Sequence, residues 1–128
     1  MKTSYMYVAL VVVLVGGLVF VRNNAGKNGA PENMTALDTF GQCLTDAGAK
    51  FYGAYWCPHC QAQKKVLGNS KKIPYVECST PDQKNQTPIC IEKKITGYPT
   101  WIYADGSIAD GEQTLQELSD KTSCALPS

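Results

Sequence analysis

The chain has 128 residues, enough for one compact domain and too few for two of ordinary size. Its 12 Lys and Arg stand against 11 Asp and Glu, a net charge of +1, which excludes the strong field expected of a nucleic-acid binder or of a protein built for acidic partners. Six cysteines and a single histidine carry what chemistry the composition offers.

Residues 5–21, YMYVALVVVLVGGLVFV, hold no charge and are apolar apart from two Tyr and two Gly. As a helix they would extend about 25 Å, the short end of a bilayer span. No polar face interrupts the run, as one would on a helix packed against a soluble core. Residues 1–21 therefore read as an amino-terminal transmembrane anchor. A cleaved signal peptide also fits Lys2 and the apolar run, but Asn23-Asn24-Ala25 offers little of the small-residue pattern that cleavage prefers. Lys2 and the amino terminus balance Arg22 and Lys27, so charge leaves the orientation open. Residues 22–33, rich in Gly and Asn, have linker composition, and the globular domain is expected over 34–128.

In TALDTFGQCLTDAG, Ala36, Leu37, Phe40, Cys43, Leu44 and Ala47 recur at helical spacing, with Gly48 as the stop. AKFYGAYW, short and aromatic, reads as a strand that delivers the chain into CPHC. Pro58 suits the first turn of a helix, where its missing N–H is one left unpaired anyway, and HCQAQKKVLG continues that helix to Gly68. KIPYVEC is a second strand, and TPDQKNQTPICIEKKIT a polar loop leading into a short helix with Cys90. YPTWIYADGSIAD gives two short strands about Ala104-Asp105-Gly106, and TLQELSDKTSC a last helix with Leu115 and Leu118 on one face. The fold class is α/β: one small mixed sheet flanked by helices, preceded by one transmembrane helix.

The CxxC is a redox dithiol, half of a zinc site, or a structural pair. At a strand-to-helix junction, Cys57 stands where unpaired N–H groups and the helix dipole favour a thiolate. Cys60, one turn on, faces the same sulfur and can resolve a mixed disulfide. His59 between them would add positive charge and stabilise the reduced form, making the pair a stronger oxidant, or else is a plain exposed turn residue. Zinc would use Cys57, Cys60, Cys78 and Cys90, but Cys78 and Cys90 stand twelve positions apart with no second CxxC or His pair.

The run FYGAYWCPHCQAQKK, with PYVECSTP, Cys90 and ITGYPTW, resembles the thioredoxin-like domains associated with bacterial vitamin K epoxide reductase homologues, over roughly residues 40–118. The resemblance implies a thioredoxin-like fold, a cis Pro99 facing the CxxC, and a Tyr98 backbone that pairs with an incoming peptide. Pro58-His59 is similar to the dipeptide of the oxidant DsbA, which implies an oxidising role. One departure stands out: thioredoxin has a buried acidic residue six positions before its first CxxC cysteine, where this chain has Phe51. Trp56 and Tyr55 are expected either as an apolar wall beside the sulfur that meets substrate or as strand packing.

Six cysteines in one small domain do not suit a reducing cytosol, so the domain is expected outside the cytoplasmic membrane, periplasmic or lumenal, with the amino terminus inside. The four cysteines besides Cys57 and Cys60 allow three pairings. Cys78 and Cys90 lie a short loop apart, and the resemblance supports their pairing. Cys43 with Cys124 would then tie the domain's ends. Free buried thiols, or a Cys78–Cys90 pair that relays electrons to Cys57, are the alternatives.

The expected function is that of a membrane-tethered thiol-disulfide oxidoreductase. Its thiol partners would be cysteine-containing secreted or periplasmic proteins, and its membrane partner, by resemblance, a quinone-linked vitamin K epoxide reductase homologue. No cofactor, metal or nucleic acid is expected. A disulfide reductase or isomerase, and a binding module whose CxxC is structural or holds zinc, are the other readings.

Overall fold

A computed structural model of the chain describes residues 34–128. The apolar stretch 5–21 and the linker 22–33 lie outside the described residues. Among the described residues no helix is long and apolar enough to cross a membrane.

Helix α1 (Ala36–Asp46) opens on a reciprocal cap: Asp38 N–H donates to Thr35 Oγ1, and Asp38 Oδ2 accepts from Thr35 N–H, each at 3.1 Å. The Ser70 hydroxyl also donates to Asp38, and these bonds, Ser70's first, hold the carboxyl below its ordinary value. Phe40 and Leu44 supply its buried face, and Gly48 takes a φ of +79° to turn the chain into strand β1 (Lys50–Gly53). β1 uses only the first half of the aromatic stretch expected as strand. At Ala54 the carbonyl takes the Cys57 N–H (3.0 Å) and closes a turn, leaving Tyr55 and Trp56 outside the sheet.

Helix α2 (Pro58–Val66) has Cys57 as N-cap and Pro58 in its first turn, and Gly68 follows it with a φ of +67°. Strand β2 (Tyr75–Glu77) is shorter than the KIPYVEC run. Pro74 has no N–H for the ladder, and pairing begins where its carbonyl accepts from Phe51 (2.8 Å). Helix α3 (Pro88–Glu92) carries Cys90. Strands β3 (Thr100–Ile102) and β4 (Ile108–Asp110) join through a turn over 103–107, and helix α4 (Leu115–Thr122) starts on a second capping box, Thr114 with Glu117.

The sheet order is β2-β1-β3-β4, with β1 parallel to β2 and the other pairs antiparallel. Register puts Tyr75, Phe51, Trp101 and Ala109 in one row across the four strands. By the two-residue period they share a face. That face packs with Phe40 and Leu44 of α1, Cys60 of α2 and Leu118 of α4, and Phe51 stacks on the fully buried Trp101 (centroids 5.0 Å). The opposite face gathers Tyr52, Val76 and Ile102 with Cys90 and Ile95. This mixed four-stranded sheet flanked by helices fits the thioredoxin-like fold.

One disulfide joins Cys43 of α1 to Cys124 just past α4, 81 positions apart, and another joins Cys78 to Cys90 on the opposite sheet face, 12 positions apart. Gln63 of α2 is fully buried, its Oε1 accepting from Trp101 Nε1 (3.3 Å) and the Gln113 N–H (2.6 Å), its Nε2 donating to the Gln113 carbonyl (3.0 Å). This one amide fixes the helix carrying the CxxC to the core tryptophan and to the segment before α4. Gln63→Leu strands those groups and is expected to destabilise the domain by about 1–3 kcal/mol, read as a lowered urea midpoint at unchanged slope.

Candidate functional site

Among the described residues the free cysteines are Cys57 and Cys60, both buried. Cys57 is extended (φ −76°, ψ 122°) and its side chain caps no helical N–H, so the amino end of α2 keeps its partial positive charge for the sulfur. Its Sγ lies 3.8 Å from the Tyr98 carbonyl oxygen, and 6% of the residue is exposed. The Tyr98–Pro99 peptide is cis. Sequence elements more than forty positions apart therefore meet at one sulfur, the arrangement that a peptide thiol or disulfide would have to approach.

Cys60, one turn on, is 1% exposed. Burial pushes its thiol up to about 12, with the neighbouring Cys57 thiol acting in the same direction; the Ala54 backbone hydrogen bond and the charge of Lys64 act against it. In the reduced protein Cys60 stays protonated well above neutral pH. Iodoacetamide at pH 8 is therefore expected to label Cys57 and spare Cys60, as read by peptide mass spectrometry; comparable labelling of Cys60 would contradict its burial.

Gly53, at the end of β1, makes room for the resolving sulfur. A Cβ there would lie 2.7 Å from Cys60 Sγ and 3.0 Å from Tyr75 Cε2. Glu77, at the end of β2, holds the approach to the CxxC. Its Oε1 accepts the N–H groups of Tyr55 (3.2 Å) and Ser79 (2.9 Å), and its Oε2 accepts the Tyr75 hydroxyl (2.7 Å).

Trp56 and Tyr55 are not strand packing. Trp56 is 43% exposed, donates its Nε1–H to Ser79 Oγ (2.9 Å) and meets the Tyr98 ring edge-on (centroids 6.1 Å). Tyr55 is bonded through its hydroxyl to the Pro81 carbonyl (3.0 Å). Together they give the Cys57 side of the molecule an exposed aromatic rim. His59 turns to Glu112, Nδ1 to Oε1 at 2.7 Å, with the two side chains 73% and 41% exposed. A pair so open to water contributes less than about 1 kcal/mol, so Glu112→Gln is expected to leave the urea midpoint nearly unchanged.

The four-cysteine zinc alternative would need Cys78 and Cys90, which are bonded to each other. Sequence reasoning missed Gly53, Gln63, Glu77 and Glu112. A glycine inside a strand does signal a close approach. Gln63 and Glu112 depend on partners about fifty positions away, and Glu77 reaches the CxxC turn only through Tyr55, 22 positions back.

No family model matches the chain. It is 42% identical over 88 residues to thiol-disulfide oxidoreductase LTO1 of Arabidopsis thaliana, covering 65% of this chain and 23% of that protein. It is 32% identical over 111 residues to the thioredoxin domain-containing protein 5 homolog of Drosophila melanogaster, covering 74% of this chain and 26% of that protein. The chain thus spans about a quarter of the length of these curated relatives. Sheet order, a free Cys57–Cys60 pair at the start of α2 and both relatives support a thioredoxin-like domain.

Proposed function

We propose that this domain is a thiol-disulfide oxidoreductase that exchanges disulfides with cysteine-containing secreted proteins. The observation that carries the reading is the free Cys57–Cys60 pair, with Cys57 Sγ facing the Tyr98 carbonyl while the other four cysteines are bridged. In the oxidising direction a substrate thiolate attacks Cys57 Sγ of the oxidised pair, the Cys57–Cys60 bond breaks, and Cys60 leaves as a thiolate that takes a proton. A second substrate thiolate then attacks the substrate sulfur of the mixed disulfide, and Cys57 leaves. The substrate ends with one disulfide and the domain with two thiols. Tyr98 and Pro99 hold the substrate strand beside Cys57, and Trp56 borders it.

Oxidation is favoured over reduction by the CPHC sequence and by Phe51, an apolar ring where a buried acid would assist thioredoxin-style reduction. Two bridged pairs and the uncharged stretch 5–21 support a membrane-tethered domain on the extracytoplasmic side. There a quinone-linked vitamin K epoxide reductase homologue, proposed by resemblance, would take the electrons. Cys78–Cys90 is read as a structural bridge, because both sulfurs are fully buried.

A Cys60→Ser variant, expressed in the membrane of a cell that secretes disulfide-bonded proteins, tests the reading. Mixed disulfides through Cys57 to secreted cysteine proteins are expected. Recovery of the variant without any such adduct would overturn it.

A further inference from the structure

Resting on that oxidoreductase reading, we propose that Lys64 supplies the positive charge that lets the buried Cys60 exist as a thiolate during exchange, held in place by the ring of Tyr75. Cys60 must ionise in either direction of the reaction. It attacks Cys57 Sγ when a mixed disulfide is resolved, and it is the leaving group when a substrate opens the Cys57–Cys60 bond. Nothing about its burial helps. The sulfur sits against Gly53, and the ring edges of Tyr75 and Phe51 lie 3.0 and 3.3 Å from the point where a Gly53 Cβ would be. An unpaired negative charge in such a setting is costly.

Lys64 lies one turn beyond Cys60 on α2, on the same helix face. Its Nζ is 3.4 Å from the centroid of the Tyr75 ring, whose edge flanks Gly53 as the Cys60 sulfur does. The Tyr75 hydroxyl donates to Glu77 Oε2, and burial, then Glu77, push that hydroxyl's pKa up, so it stays a donor. Glu77 is pinned in turn by the backbone of Tyr55 and Ser79. The ring is thus fixed at its rear, and the ammonium is seated on its face. The charged and titratable groups that act on Cys60 are Cys57 and Lys64, from α2 and its N-cap, and Cys60 in turn acts on Tyr75 of β2, whose hydroxyl is bonded to Glu77. Among those acting on Cys60, Lys64 is the cation that favours its thiolate.

The Cys60 S–H gives its proton to solvent, the thiolate attacks Cys57 Sγ, the Cys57–probe bond breaks, and the probe leaves as a thiolate. The cysteine pair loses two electrons, and the probe disulfide gains them.

The test uses the reduced full chain and 5,5′-dithiobis(2-nitrobenzoate) in a stopped-flow spectrophotometer. The first equivalent of thionitrobenzoate reports attack by Cys57, the second resolution by Cys60. Lys64→Met is expected to slow the second phase about tenfold at pH 7 and leave the first within about twofold, with the difference shrinking as pH rises towards the Cys60 value of about 12 and the thiol ionises without help. Lys64→Arg, which keeps the charge and the ring contact, restores the second phase. A Lys64→Met protein with the wild-type second phase and pH profile overturns the proposal, as does an Arg variant as slow as Met. A wild-type protein that releases one equivalent and stops overturns the oxidoreductase reading itself, and this proposal with it.

Discussion

Cys57→Ser is expected to reduce turnover of a reduced, cysteine-containing substrate to the uncatalysed rate, while Cys60→Ser retains the first half of the reaction and stalls as an adduct. The asymmetry follows from placement. Cys57 caps α2, presents its sulfur beside the Tyr98 carbonyl and is the more exposed of the two thiols. Cys60 is 1% exposed, with its sulfur against Gly53. A serine hydroxyl at 57 cannot form the mixed disulfide at all, so no residual route through Cys60 is expected. Turnover of the two variants by Ellman titration of a reduced model protein, with mass spectrometry of adducts, separates these outcomes. Equal activity of Cys57→Ser and wild type would place the chemistry elsewhere.

The second large effect concerns stability. Removing the Cys43–Cys124 bridge with a double Ala substitution releases a loop of 81 positions, and the chain-entropy model gives a loss of about 4 kcal/mol. For a domain of this size that is a fall in melting temperature of about 15–30 °C. Cys78–Cys90 closes only 12 positions and is expected to contribute about 3 kcal/mol by the same reasoning. Calorimetry of the two double variants tests the order. Because the first bridge joins α1 to the segment after α4, its loss is also expected to loosen both ends of the domain together, seen as faster amide exchange in both helices. An unchanged melting temperature would contradict the bridging of these cysteines.

Much of this fold is legible in local sequence. The helical spacing of Phe40 and Leu44, Pro58 after the first CxxC cysteine and the Asp-Gly turn before β4 each name an element and its end. Strand lengths are less legible. Residues 54–56 have strand-like side chains, but the turn that brings Cys57 to the head of α2 takes their backbone out of the sheet. The reactive pair is legible because its chemistry depends on residues three apart. The groups around it are not: Glu77 meets the backbone of Tyr55, 22 positions away, and His59, placed by the sequence beside the sulfurs, is bonded to Glu112, 53 positions away. These interactions arise only once the sheet has fixed which loops meet.

The proposed function makes Cys57 and Cys60 a redox couple poised for oxidation, which an equilibrium titration of the purified protein against glutathione and dithiothreitol buffers measures. One two-electron transition involving these two thiols is expected, at a potential closer to the about −120 mV of DsbA than to the about −270 mV of thioredoxin. A couple near about −270 mV would contradict the oxidising role, and two thiols that never interconvert with a disulfide would contradict the redox site altogether.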